Sequence, residues 1–119
     1  MIQISFHGAD YLIDPLKKID LSNFLNVLAR KPLIIHGADY DLRMLRTSFN
    51  FRPQCEVFDT MLAAQILGHE HFGLAALIQR YLDTTITKHG QKSDWSVRPL
   101  SPMQLDYAYT DTRFLETIA

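Results

Sequence analysis

Alternating apolar and polar side chains at the start of the chain predict a β-hairpin. In Met1–Phe6, apolar residues occupy every second position, which is the period of a strand with one buried face. Turn-forming residues follow in His7–Asp10, and Tyr11–Ile13 has the apolar character of a returning strand. Asp14-Pro15 ends that strand, because proline has no N–H to give to a strand ladder.

A short apolar run followed by a helical pattern makes Leu33–Leu45 the segment around which the rest of the chain is organised. Leu33–Ile35 has the length of a buried strand, and His36-Gly37-Ala38 interrupts it. Asp39 then occupies the position of a helix N-cap. The apolar face of this predicted helix carries Leu42, Leu45 and Phe49.

Asp41 is the first candidate site residue, because it would lie in the first turn of that helix. In open α/β sheets, ligands bind at the rim beyond the carboxyl ends of the strands, which is where this turn would be. A purely structural interpretation stays open as well. Carboxylates such as Asp39 and Asp41 stabilise the N-terminus of a helix without any further function.

The other apolar segments predict further helices and strands in alternation. They are a helix capped by Asp20 or Ser22, a strand over Cys55–Phe58, a helix over Thr60–Leu67 capped by Asp59, and a helix over Gly73–Leu82. Thr84–Leu100 is polar and irregular. This order indicates an α/β protein, and we expect residues 1–119 to form one domain.

The last helix has the clearest start signal in the chain. Ser101-Pro102-Met103-Gln104 combines an N-cap serine, a proline at the first helical position and a glutamine three residues after the serine. Tyr107 and Asp111 on this helix are four residues apart and therefore share one face. A carboxylate there suits a hard cation, and a phenol can orient or help deprotonate a water molecule. A tyrosine packed at the edge of the core beside a solvated aspartate is the structural alternative.

Composition narrows the possible functions. The chain has 119 residues, 47% hydrophobic and 21% charged, as in an ordinary globular protein. Its net charge of −1 excludes nucleic-acid binding by bulk positive charge, so any nucleic acid would be held at a local site, with metal ions contributing charge. No apolar run approaches a membrane span of roughly 20 residues. The only cysteine, Cys55, is expected to pack in a strand, and cysteine usage weakly favours the cytoplasm.

Several ordered motifs resemble those of the DEDDy 3′–5′ exonucleases, in the ribonuclease D branch. His36–Leu42 is similar to the second exonuclease motif, and Tyr107–Asp111 is similar to the third, Tyr-x-x-x-Asp. Phe58-Asp59-Thr60 and Ser93–Leu100 are similar to family signatures that lie between these motifs in the same order. The early hairpin also resembles its counterpart in the family. The resemblance therefore extends over essentially the whole chain.

The resemblance implies a ribonuclease-H-like fold with a five-stranded mixed sheet flanked by helices. It also implies a site in which four carboxylates hold two divalent ions, Mg²⁺ or Mn²⁺. The implied activity is hydrolysis of the 3′-terminal phosphodiester of single-stranded RNA, or of DNA. By position, Asp41 and Asp111 would be metal ligands and Tyr107 would position the attacking water. His36 and Lys88 match positions that approach the substrate. Trp95, Arg98 and Asp59 would serve the scaffold.

One part of the family pattern has no counterpart in Met1–Ala119. The family's first motif, Asp-x-Glu on the central first strand, does not occur here on a plausible strand, so two metal-binding carboxylates are expected to be missing. We therefore expect a fold without this strand, incomplete at the N-terminus, with impaired activity. The chain could be part of a longer exonuclease, the hairpin could pair directly with Leu33–Ile35, or a second copy could fill the gap.

Two functional hypotheses follow, and a third has less support. The first is the catalytic domain of a ribonuclease D-like 3′–5′ exonuclease. The second is an inactive exonuclease-fold module for nucleic-acid binding or assembly, which would bind RNA weakly through His36 and Lys88 without turnover. The third is a different phosphoesterase that uses His89 or His36, and only the number of histidines supports it.

Overall fold

The structure, a computed structural model, describes residues 1–86 and 93–119, which belong to two compact units. The first, here called the hairpin unit, comprises Met1–Lys17 and Gly73–Ile118. The second, here called the crossover unit, comprises Lys18–Phe72. Among the described residues, no helix combines the length and the apolar character that a bilayer crossing requires.

The hairpin unit begins with the predicted β-hairpin. Strands β1 (Ile2–Phe6) and β2 (Ala9–Ile13) pair antiparallel, so that Phe6 lies opposite Ala9. The two loop residues, His7 and Gly8, have φ values of 51° and 76°. Positive φ at both positions suits the right-handed twist of the flanking strands, and glycine adopts it without steric cost. The hairpin prediction is confirmed, with β2 beginning two residues earlier than Tyr11.

Helices complete the hairpin unit. They are α4 (Leu74–Leu82), α5 (Pro102–Arg113) and the short α6 (Leu115–Ile118). The predicted capping box at Ser101 is present, and Gly73 precedes α4 as its N-cap. The single final helix expected from the sequence is interrupted at Phe114, so α5 and α6 are separate. The buried apolar residues of this unit are Leu77, Ile78, Ala108 and Leu115.

The crossover unit contains a parallel strand pair connected through a helix. Its elements are α1 (Ser22–Ala29), β3 (Leu33–Ile35), α2 (Ala38–Phe49), β4 (Val57–Asp59) and α3 (Thr60–Ile66). Strands β3 and β4 are parallel, as a crossover connection requires. A core of buried Leu25, Ala29 and Phe51 holds the unit together, and the partly buried residues around it are Leu21, Phe24, Leu28, Leu33, Leu42 and Leu45.

Two of the predicted helix caps in the crossover unit are wrong. Gly37, with φ of 70°, is the N-cap of α2, and Asp39 lies inside the first turn, where it pairs with Arg43. The left-handed backbone at the cap favours glycine over aspartate. Leu21 is the N-cap of α1, with no side-chain cap. Asp20 instead forms a local turn, in which its Oδ1 accepts the N–H of Ser22 at 2.9 Å.

The prediction that Cys55 packs within a strand is also wrong. Cys55 is exposed and precedes β4, which begins at Val57 opposite Leu33. Its thiol donates to the carbonyl of Arg30 at 3.0 Å. The N–H of Leu33 bonds to the carbonyl of Glu56 at 2.9 Å, so the pairing with β3 sets where β4 starts.

The sheets confirm the α/β class. Among the described residues, each unit contains one two-stranded sheet, β1–β2 in the hairpin unit and β3–β4 in the crossover unit. Because the hairpin and Leu33–Ile35 belong to different units, their direct pairing stays a prediction. Within each unit, a strand pairs with a neighbour along the chain, which limits the cost of loop closure.

Candidate functional site

The first group of candidate site residues lies on α5. The capping box at Ser101 starts this helix, and the helical period then brings Tyr107 and Asp111 to one face. Both side chains are half-buried. The amide of Gln3 on β1 donates to Asp111 Oδ2 at 3.2 Å, which gives the carboxylate a preferred orientation. The sequence correctly predicted this helix and its shared face.

The polar face of the hairpin packs against α5. Ser5 is 2.6 Å from both the carboxylate of Asp10 and the hydroxyl of Thr112. Arg113 in turn pairs with Asp10 at 2.8 Å. Together with the bond from Gln3, these contacts tie the end of α5 to β1 and β2. In the sequence, the only sign of this contact is that Gln3 and Ser5 are the polar positions in the alternation of β1.

The phenol of Tyr107 is held in its protonated form. Partial burial raises its pKa above the usual value, and the negative charge of Asp111 one turn away raises the pKa further. A neutral phenol can donate or accept a hydrogen bond and so orient a water molecule. Removing a proton from that water would require the phenolate, which this surrounding disfavours. Without a cation bound at Asp111, the raised pKa of Tyr107 favours the orienting role of the two roles that the sequence allowed.

In the crossover unit, Asp59 organises the second group. Its carboxylate accepts the N–H groups of Gly37 at 2.9 Å and Ala38 at 2.8 Å, at the start of α2. It also accepts those of Met61 at 2.9 Å and Leu62 at 3.3 Å, at the start of α3. Although desolvation opposes the charged form, these four backbone bonds outweigh it and lower the pKa of Asp59. One carboxylate thus caps two helices, which is a scaffold role as expected from the sequence.

Asp41 lies in the first turn of α2, as predicted, and its side chain is exposed. Partial desolvation raises the pKa of Asp41, and the nearby negative charge of Asp59 raises it further. Asp41 thus provides a hard carboxylate oxygen whose ionised form a nearby positive charge would stabilise.

The side chain of His36 is oriented by a threonine. Its Nδ1 lies 2.9 Å from the hydroxyl of Thr60, and that hydroxyl donates a long bond of 3.5 Å to the carbonyl of Ile35. The contact with Thr60 orients the imidazole ring, and which of the two atoms donates depends on the imidazole tautomer. Partial burial lowers the pKa of His36, and the negative charge of Asp59 opposes this shift.

The donor chemistry suits a divalent ion, but residues 1–86 and 93–119 do not bring a full set of donors together. Asp41 and Asp111 supply hard carboxylate oxygens, the ligands that Mg²⁺ and Mn²⁺ prefer. Yet in the part of the chain that the structure describes, no group of three or more histidine, cysteine, aspartate or glutamate side chains could hold a metal ion. The two aspartates also belong to different units. Lys88 and His89 lie outside the described residues.

Comparison with known proteins gives a consistent family assignment. A family model described as 3′–5′ exonuclease matches residues 1–119. The exosome complex component 10 homolog of Drosophila melanogaster is 36% identical over 118 residues, covering 97% of this chain and 13% of that protein. Ribonuclease D of Haemophilus influenzae is 38% identical over 107 residues, covering 87% of this chain and 27% of that protein. The chain therefore spans only a small part of these relatives.

Solved structures show the same similarity in three dimensions. The catalytic core of RRP6 from Trypanosoma brucei superposes with a TM-score of 0.82 at 31% identity, covering 98% of this chain and 33% of that one. The structure of Brucella melitensis NrnC with bound Mg²⁺ has a TM-score of 0.65 at 31% identity, covering 73% of this chain and 42% of that one. These likenesses confirm the ribonuclease-H-like exonuclease fold.

Proposed function

Because this chain belongs to the 3′–5′ exonuclease family, as a domain of the ribonuclease D and RRP6 type, we propose that it takes part in removing nucleotides from RNA 3′ ends. The single observation that carries the proposal is the α5 face on which Tyr107 lies one turn from Asp111, with Gln3 holding that carboxylate. This arrangement supplies a metal-binding oxygen beside a neutral phenol. Single-stranded DNA is the alternative substrate.

Each site residue has a proposed role that follows from its surroundings. Asp41 and Asp111 would hold the divalent ions, Mg²⁺ or Mn²⁺, whose contribution is to stabilise charge at the attacking and leaving oxygens. Tyr107 orients the attacking water through its neutral hydroxyl. His36 contacts the substrate through its imidazole ring, which the hydroxyl of Thr60 orients. Lys88 contributes positive charge near the phosphate, a role that rests on the family resemblance alone.

We further propose that residues 1–119 act as one exonuclease domain with an incomplete ligand set. The two assigned carboxylates, Asp41 and Asp111, bind a hard cation weakly by themselves. Further carboxylates would come from another segment of a longer protein or from a second copy of this chain. Activity of these residues in isolation is then impaired. We also propose a cytoplasmic location, which rests on cysteine usage alone.

An inactive module is the second candidate function. The observation that favours it is the absence, among residues 1–86 and 93–119, of a cluster of three or more metal-ligating side chains. In that case the fold would serve nucleic-acid binding or assembly. His36 and Lys88 would then contact RNA without any hydrolysis.

A degradation assay separates the two functions. RNA labelled at its 5′ end is incubated with the protein and Mg²⁺ or Mn²⁺, and EDTA is added to a parallel reaction. Stepwise shortening from the 3′ end that requires metal would support the exonuclease. The Asp111→Asn variant should then lose at least about 100-fold in rate, and Tyr107→Phe should lose about 100-fold. Asp106→Asn, an exposed aspartate on the same helix, is the matched control and should retain the rate.

The same assay includes a binding measurement for the inactive module. If a folded chain gives no shortening with either ion, RNA binding is measured by fluorescence anisotropy in EDTA. Binding that weakens in His36→Ala would support the module. If RNA neither binds nor shortens, both proposed functions are wrong for the isolated chain.

A further inference from the structure

Arg98 connects the polar segment before α5 to the end of the hairpin. Its guanidinium forms a two-pronged ion pair with Asp14, from Nε to Oδ2 at 2.6 Å and from Nη2 to Oδ1 at 2.9 Å. The third nitrogen, Nη1, donates to the backbone carbonyls of Trp95 and Val97. Every nitrogen of this side chain therefore has a partner. Both members of the pair are largely covered, with 29% of the Arg98 side chain and 15% of the Asp14 side chain exposed.

The segment is also attached at its other end, directly to α5. Gln104 donates from Nε2 to the carbonyl of Asp94 at 3.1 Å, while its Oε1 accepts the N–H of Ser101 at 2.9 Å. Asp94 in turn accepts the N–H of Ser96 at 3.0 Å. The backbone on both sides of Trp95 is thus bound, by Gln104 on one side and by Arg98 on the other.

Trp95 lies between these two attachments and contacts the tyrosine of the candidate site. Its ring centre is 6.1 Å from that of Tyr107, with the planes tilted by 43°. Both residues are half-buried. Aromatic pairs within this range of separation attract each other in addition to the area they bury. The helix fixes the backbone of Tyr107, and a neighbouring ring restricts its side-chain rotation.

We propose that Arg98 is a positioning residue that, through its hold on Asp14 and on the Trp95 carbonyl, keeps the Trp95 ring against Tyr107. The part that concerns catalysis rests on the orienting role proposed above for Tyr107. A lysine at this position would keep the charge but lose the fork, because an ammonium cannot bind both carboxylate oxygens and two carbonyls in one plane. The proposed action of Arg98 on the site is therefore indirect and passes through Trp95 to Tyr107.

Fluorescence tests the physical link, because Trp95 is the only tryptophan in the chain. The variants are Arg98→Lys and Asp14→Asn, which break the same ion pair from its two sides. The matched control is Arg113→Lys, whose ion pair with Asp10 also joins the C-terminal half to the hairpin. We expect the Trp95 emission to shift to longer wavelength and acrylamide quenching to rise about twofold in the first two variants. The control should keep the emission of the unmodified chain.

Three fluorescence outcomes would overturn the proposal. One is unchanged emission and quenching in both Arg98→Lys and Asp14→Asn. Another is an equal change in Arg113→Lys, which would indicate general loosening of the unit. The third outcome concerns Tyr107→Leu. We expect this change to alter Trp95 emission in the unmodified chain but not in Arg98→Lys, where the two rings are already apart. Equal effects of Tyr107→Leu in both backgrounds would show that Arg98 does not control the ring contact.

Kinetics then test the catalytic part in a form of the protein that degrades RNA. Arg98→Lys should lower kcat about tenfold and leave KM within a factor of two, because water orientation is affected and RNA contacts are not. An increase in KM with unchanged kcat would contradict the positioning role. If no form of the protein degrades RNA, the proposed function has failed. The fluorescence results would still decide whether Arg98 holds Trp95 against Tyr107.

Discussion

The helices that carry the two candidate metal ligands, α5 and α2, begin in opposite ways. Helix α5 is capped by its own sequence, because the Ser101 hydroxyl and the Gln104 side chain satisfy each other's backbone groups within one turn. Helix α2 has no side-chain cap of its own. The N–H groups of Gly37 and Ala38 instead bond to Asp59, which follows them in the chain by 22 and 21 residues respectively.

This difference shows that Asp111 and Asp41 depend on different parts of the sequence. The orientation of Asp111 depends on a local helix start and on a bond from Gln3, 108 residues away. The position of Asp41 depends on a carboxylate that must reach across from β4 to start α2. Asp59 also starts α3, so one substitution would disturb two helices of the crossover unit. We therefore expect the α2 start to be the more sensitive of the two.

Replacing Asp59 should have the largest effect on stability. Asp59→Ala removes the acceptor for four backbone N–H groups, and we expect a loss of about 3 kcal/mol in the free energy of unfolding, from capping and charged hydrogen-bond magnitudes. Urea denaturation followed by circular dichroism measures it. Asp20→Ala is the control, because this exposed aspartate binds only Ser22, and it should lose much less. Equal losses in the two variants would contradict the comparison.

Replacing Ser101 should have a smaller effect, because it opens only one helix. We expect Ser101→Ala to lower the free energy of unfolding by about 1 kcal/mol, the usual cost of losing a helix cap. The same denaturation experiment checks it, with Ser48→Ala, an exposed position within α2, as the control that should show little change. If Ser101→Ala lowered the free energy of unfolding as much as Asp59→Ala, the start of α5 would be as sensitive to substitution as the start of α2.

Acidification should have the smallest effect, and it acts through His36. Burial lowers the folded-state pKa of His36 below 6.5, so the unfolded chain binds the proton more readily. Stability from this group is present above pH 6.5 and decreases as the pH falls through the folded-state pKa. We expect the unmodified chain to lose more stability than His36→Gln between pH 7 and pH 5.5. An NMR titration with a midpoint of His36 above 6.5 would reverse the predicted sign.

The sequence predicted the elements of the fold well wherever the signal was local. The β1–β2 turn, the strand at Leu33–Ile35, the Asp59 cap and the Ser101 capping box are all confirmed. Each is encoded within a few consecutive residues. Predictions failed where a competing local geometry or a distant partner decided the outcome. The N-cap of α2 is Gly37 and not Asp39. Cys55 lies outside β4, because pairing with β3 begins at Val57.

The candidate site was predicted in part. The shared face of Tyr107 and Asp111 and the place of Asp41 in the first turn of α2 agree with the structure, although their catalytic roles stay predictions. Residues that orient the site were missed, namely Gln3 beside Asp111 and Thr60 beside His36. Each is an unremarkable polar residue in the sequence. Only the contact with a side chain far along the chain distinguishes Gln3 and Thr60 from ordinary solvated polar residues.

The sequence by itself determined the class, the family and the order of the elements, because periodicity, caps and ordered motifs depend on neighbours within about one helical turn. Tertiary structure alone decided that Asp59 starts two helices and that Arg98 holds Asp14 across 84 residues. It also lowers the pKa of His36 and raises that of Tyr107. These properties depend on burial and on partners far along the chain, which no local pattern records.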